Sequence, residues 1–241
     1  MRLGPGLLYE GRTLQGARPK LADFCSATMA EFYSAVDMRS VPHRTRPHHR
    51  WVFTPIFLAV MLTANLYFGV LHGDLSKVDL AAFGVSLNSL EQGEWLRLIT
   101  GSFISHDADM LVRQLMLAAF AIGWFEWRNG ALRTFVMFFA LDVFGTLFLM
   151  FGLIGLLNFG DFAGLPNTYD VGMSAGGFGL IGASLYYLSW RKWAMTAGVM
   201  TLVLKAALFP EPIADLAHLM MLPTGFLAEA LVSRALVKFA G

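Results

Sequence analysis

A serine hydroxyl is a weak nucleophile until a base takes its proton, and imidazole has the basicity for that task near neutral pH. The chain offers this pair as Ser174 and His218. Ser174 sits in the run Gly172-Met173-Ser174-Ala175-Gly176-Gly177-Phe178-Gly179, with Gly182 and Ala183 following within a turn. Such a run makes a poor soluble helix but lets a membrane helix pack very closely on its neighbour. A Ser–His pair without an acid is a reduced form of the serine-hydrolase triad. The same two residues have a plainer reading, Ser174 as a small packing residue and His218 as a histidine satisfied at an interface. Asn65, Arg113 and Asp142 are further polar groups in apolar stretches. The single Cys25 can form no internal disulfide, and His43, His48 and His49 lie in a polar linker with no frame to hold a metal. No metal or other cofactor is expected.

The elements that must position this pair follow from composition. Of 241 residues, 56% are apolar and 15% charged, and the mean hydropathy is +0.56. That is an all-α integral membrane protein, not a disordered chain or a disulfide scaffold. The same composition excludes a nucleic-acid binder of the basic-patch kind, and a net charge of +1 names no partner. Six segments have about the length and apolarity of a spanning helix: Trp51–Leu71, Ser105–Phe125, Leu132–Phe159, Val171–Trp190, Trp193–Phe209 and Ile213–Leu236. Fourteen of the 18 Lys and Arg lie in the N-terminal tail, in the connections after the second and fourth spans, or at the C-terminal end. The excess of positive charge on one side predicts that both termini are cytoplasmic. Residues 1–50 form a cytoplasmic tail in which Leu21, Phe24, Cys25, Met29, Phe32 and Val36 recur at helical spacing, predicting a short amphipathic helix. Residues 51–241 form the membrane domain, with the lipid bilayer as its surroundings. In this topology Ser174 and His218 enter from the outer face and lie about 5 and 8 Å below it. They meet at one level if their helices touch.

Gly172-Met173-Ser174-Ala175 on the fourth span and His218 on the sixth resemble the rhomboid family of intramembrane serine proteases, whose hallmark is G-x-S-G with a histidine on the sixth span. The resemblance runs from about Gly93 to the end. Glu94-Trp95-Leu96-Arg97-Leu98-Ile99-Thr100 is similar to the family's W-R segment in the first loop, and Phe103 with His106 to its F-x-x-H. Glu126-Trp127-Arg128-Asn129-Gly130 resembles E-x-x-x-G, and Gly225 matches the second glycine of H-x-x-G-x-x-x-G. The resemblance implies a six-span rhomboid-like bundle that cleaves single-pass membrane proteins near the outer face. Ser174 would be the nucleophile and His218 the general base, then acid. Gly172, Gly176, Gly177, Gly179 and Gly225 would let helices approach closely, above all the fourth and sixth spans. The first loop would lie sideways at the membrane surface, and substrates would enter near the fifth span. A bacterial plasma membrane is the expected location.

The chain departs from the family pattern at three places. The family's second span carries H-x-x-x-N, whose side chains help hold the oxyanion. Aligned from His106, these positions fall on Leu111 and Leu115, which donate nothing; a one-residue slip gives Met110 and Gln114. Gln114 and His106 are therefore the stabilising candidates. Met221 replaces the first glycine of the sixth-span motif and should push the spans apart unless Gly176, Gly177 and Gly179 make room. Ala175 replaces a glycine beside Ser174. Losing one oxyanion donor typically costs about 10²–10³ in rate. Two readings follow: an active enzyme, or a catalytically inactive rhomboid-like protein that binds membrane clients. A small transporter or channel built on Asn65, Arg113 and Asp142 is a third. Depth counting also predicts an ion pair. Arg113 and Asp142 each fall about 14–15 Å into adjacent spans, level with one another. The rival partner for Arg113 is Asp109, four residues earlier.

Overall fold

The computed structural model describes residues 51–154 and 168–240, all within one unit, Asp37–Gly241. The tail helix, Cys25, and His43, His48 and His49 lie outside the described residues, as does most of the connection between the third and fourth apolar segments. All six apolar segments carry helices, and no strand occurs among the described residues. Three of these helices are long and apolar enough to cross a membrane: Ala108–Asn129, Ala131–Gly152 and Ile213–Leu236.

The first helix, α1 (Phe53–Tyr67), begins with no side-chain cap of its own. The first four N–H groups of a helix have no partner within it, and an anion is favoured there. Glu126, fully buried on a later helix, supplies both. Its Oε1 accepts from Val52 N and Phe53 N at 2.7 Å each, and its Oε2 accepts from Thr54 N at 2.7 Å and Thr54 Oγ1 at 2.5 Å.

The connection after α1 is a folded layer of three short helices, α2 (Lys77–Phe83), α3 (Leu87–Glu91) and α4 (Arg97–Thr100), followed by a 3₁₀ turn at Gly101–Phe103. Ser76 caps α2, and Ser86 with Ser89 forms a reciprocal box on α3. Arg97 gathers the layer: its guanidinium donates to the carbonyls of Ala81 and Gly84 and pairs with Glu94 at 2.8 Å. Val85, Leu87, Leu90 and Leu98 close a small core against Met150.

Next come α5 (Ala108–Asn129), capped by Asp107, and α6 (Ala131–Leu147), which continues in π-helical turns over Phe148–Ile154. The last three are α7 (Ser174–Leu185), α8 (Arg191–Leu208) and α9 (Pro212–Ala240), with Pro223 inside α9. α7 is the hub: it packs most extensively on α9, then on α6 and α5. α8 buries only Ala194 and Leu202.

Two backbone contacts set the α7–α9 approach. A methyl group added at Gly182 would collide with the Leu222 carbonyl, and one at Gly225 with the Gly179 carbonyl. Gly179 thus belongs to the α7–α9 contact, while the faces that Gly176, Gly177 and Gly179 leave bare meet α6 and α5. Gly176 meets Phe138 and Asp142, Gly179 meets Leu141, and Gly177 meets Leu117. Met221 does not wedge α7 from α9. It is fully buried and runs toward α6, where the bare face of Gly145 receives its sulfur.

Away from Ser174, Glu229 ties the helix ends together. Arg133, the Tyr187 hydroxyl and the Ser233 hydroxyl all reach its Oε1, and the Arg128 guanidinium lies 4.1 Å over the Tyr187 ring.

Replacing Glu126 by Ala strands three backbone donors at once. Thermal unfolding of the purified protein in detergent, followed by circular dichroism, should show a loss of at least about 2 kcal/mol, with Glu126→Gln intermediate. An unchanged midpoint for Glu126→Ala would remove this cap from the account of stability.

Candidate functional site

Ser174 is the first residue of α7, and the chain reaches it through a constrained approach. Asp170 and Val85 exchange backbone hydrogen bonds, each at 2.8 Å. Gly172 N then donates to the Gly101 carbonyl at 2.8 Å, and Gly172 has φ +117°, a conformation that L side chains rarely adopt. This glycine is why α7 starts at Ser174 and not at Val171.

Met173, the residue before the helix, supplies no side-chain cap. Asp142 of α6 does so from outside: its Oδ1 accepts from Gly176 N at 2.8 Å, and its Oδ2 accepts from Ser102 Oγ at 2.6 Å. The expected Arg113–Asp142 ion pair is therefore not formed. Arg113 pairs instead with Asp109 at 3.0 Å, one turn earlier on its own helix, and its side chain is 56% exposed. Equal depth is not enough, because Asp142 faces α7 while Arg113 turns to Asp109, half-exposed at the edge of the cavity that Ser174 lines.

Ser174 and His218 line the same cavity of about 430 Å³, together with Gln114 and His106. Leu111 is buried in the core and Leu115 packs against it; neither reaches this cavity. The His218 ring stacks on Phe178, with centroids 4.1 Å apart and planes at 26°. Phe178 lies four residues after Ser174, on the same face of α7. The stack thus ties the imidazole to the same helix that carries Ser174. No signal in the sequence distinguished Phe178 from any other apolar residue of that segment.

Five buried side-chain atoms lack a hydrogen-bond partner among the described residues, and two of them, His218 Nε2 and Gln114 Nε2, belong to residues lining this cavity. An unpaired buried polar group costs about 1–3 kcal/mol and is rare in folded proteins. Both residues line the cavity that Ser174 lines. A neutral imidazole nitrogen can take a hydroxyl proton, and an amide N–H can donate to developing negative charge. Ser174 N and Ala175 N lie in the first turn, whereas Gly176 N is already taken by Asp142.

Charged groups ring the rest of the cavity. Burial pushes the Asp170 carboxyl above the usual carboxylate range, while His106 and the Val171 N–H pull it back. Lys205 of α8 bridges Glu211 and Asp215 at 2.7 Å each, joining α8 to the start of α9.

Asp142→Ala should cost about 1–2 kcal/mol of stability through the lost cap, and Asp142→Asn less. Arg113→Gln should cost under about 0.5 kcal/mol, because its ion pair is exposed. Denaturant titration of the two single variants and of the double variant Arg113→Gln/Asp142→Asn should give additive losses. A coupling above about 1 kcal/mol would restore the ion pair.

Compared with family models, with curated proteins and with solved structures, the chain matches none of them.

Proposed function

We propose that this protein is a six-span, rhomboid-like intramembrane serine protease of a bacterial plasma membrane, with both termini cytoplasmic, that cleaves single-pass membrane proteins near the outer face. The observation that carries this reading is the shared cavity of Ser174 and His218, with His218 Nε2 buried and unpaired beside it. Ser174 Oγ attacks the scissile carbonyl while His218 Nε2 takes its proton. The oxyanion is held by Ser174 N–H and the free Gln114 amide. The imidazolium returns the proton to the leaving amine, and water then releases the acyl-enzyme by the same steps in reverse order. The Phe178 ring orients the imidazole by stacking.

One observation favours a second reading, a rhomboid-like protein that binds membrane clients without cleaving them: His218 Nε2 receives no hydrogen bond from Ser174.

A fluorophosphonate probe applied to the full-length protein in proteoliposomes separates the two. The wild type should be labelled, Ser174→Ala should not, and His218→Ala should lose at least about 10³-fold in labelling rate. Gln114→Met should cost about 10²–10³ in cleavage of a membrane-protein reporter. Absence of wild-type labelling would leave the client-binding reading.

Topology has its own check. Single cysteines at Asn167 and Lys238, in a Cys25→Ser background, should react with an impermeant maleimide from opposite sides of the membrane. Reaction of both from one side would overturn the six-span arrangement.

A further inference from the structure

Gln114 carries the second free polar atom of the cavity, and an amide side chain has two chemically opposite ends. Turning it by 180° about its last torsion exchanges a donor for an acceptor with almost no change in shape. Only one orientation helps a developing oxyanion, because the other presents a second partial negative charge to it. Whatever bonds the far end of the amide therefore decides whether the near end assists or opposes the reaction.

The far end is held by Ser105. Its Oγ donates to Gln114 Oε1 at 3.0 Å, and both residues are buried, at 0% and 4% exposure. In this arrangement the hydroxyl hydrogen and Oε1 satisfy each other, and Nε2 is left without a partner, against the bare backbone of Gly172. With the amide turned, Nε2 would donate to Ser105 Oγ, and the hydroxyl hydrogen would lose Oε1 as its acceptor. Ser105 is itself fixed. Its backbone N–H donates to Asn65 Oδ1 at 2.9 Å, and Asn65 Nδ2 donates to the carbonyls of Met61 at 2.8 Å and Phe103 at 2.9 Å. Asn65 is fully buried, so a satisfied amide on α1 sets the position of the segment carrying Ser105. On the other side, Gly172 has no side chain, and the Gln114 amide fills the space where its Cβ would stand. The amide is gripped by a hydroxyl at one end and lies against bare backbone beside Ser174 at the other.

We propose that Ser105 is a positioning residue that orients the Gln114 amide, so that its N–H edge and not its carbonyl edge faces the reacting carbonyl at Ser174. The inference rests on the protease reading. Ser105 touches no substrate and acts only through Gln114, with Asn65 as the anchor behind it.

The test is steady-state cleavage of a membrane-protein reporter by the full-length protein, paired with fluorophosphonate labelling rates. Ser105→Ala should lower kcat by about 10-fold with KM nearly unchanged, because the lost interaction is one made in the transition state. Ser105→Thr keeps the hydroxyl and should recover most of the loss. In a Gln114→Met background, Ser105→Ala should cost nothing further, since the group it orients is gone. A purely structural serine would show the same loss with or without Gln114, and that result would overturn the proposal. So would full activity of Ser105→Ala. Should Ser105→Ala fail to fold, Ser105→Cys, of similar size but a weaker donor, should give an intermediate kcat; wild-type kcat in that variant would equally overturn it. An inactive wild type would instead overturn the protease reading together with this one, so the two failures are told apart by the wild-type arm.

Discussion

A helix that starts in apolar surroundings has N–H groups that neither water nor its own backbone can satisfy. This chain answers with carboxylates brought from elsewhere in the fold. Glu126 caps the first turn of α1, and Asp142 takes one N–H in the first turn of α7. Each is buried and accepts from groups far away in sequence, so each fixes one helix against another in register as well as distance. The start of α7 is the sharper case. Asp142 reaches Gly176 N only because Gly176 has no side chain, and it is held on its other side by Ser102 from the turn after α4. The position of Ser174 thus depends on three parts of the chain meeting at one carboxylate.

Much of this architecture is legible in the amino-acid sequence, because hydrophobic runs and charge asymmetry are properties of long segments. All six apolar stretches carry helices, and the ends that are described are displaced by a few residues. The short helices between α1 and α5 were not visible, since elements of four to seven residues carry too little periodicity. Asp142 was recognised as anomalous in its apolar run, but its partner was misjudged. Sequence position gives depth along a helix and says nothing of rotation about it, and rotation decided between Arg113 and Gly176.

The site shows the same division. Ser174, His218, Gln114 and His106 stand out by residue type and line one cavity. Phe178 and Ser105 do not stand out, because an aromatic ring or a hydroxyl acquires its role only from what lies against it. Met221 is instructive for the opposite reason. A bulky residue at a glycine position reads as a clash between two helices, yet its side chain turns toward a third, where Gly145 leaves room. Volume conflicts read pairwise from sequence miss the third body that resolves them.

Pro223 gives α9 a mechanical character. It has no N–H to offer the Leu219 carbonyl, so the ladder is broken at one rung. That rung adjoins Leu222, whose carbonyl rests directly on Gly182. A weakened section beside a hard contact makes a fulcrum. His218 lies about 7 Å along the axis on one side, and Glu229, fastened to Arg133 and Tyr187, lies about 9 Å along it on the other. A tilt of about 10° at the fulcrum carries the imidazole by about 1 Å. The long arm is clamped and the short arm carries His218, so a displacement at the clamped end of the helix is transmitted to the imidazole at the other.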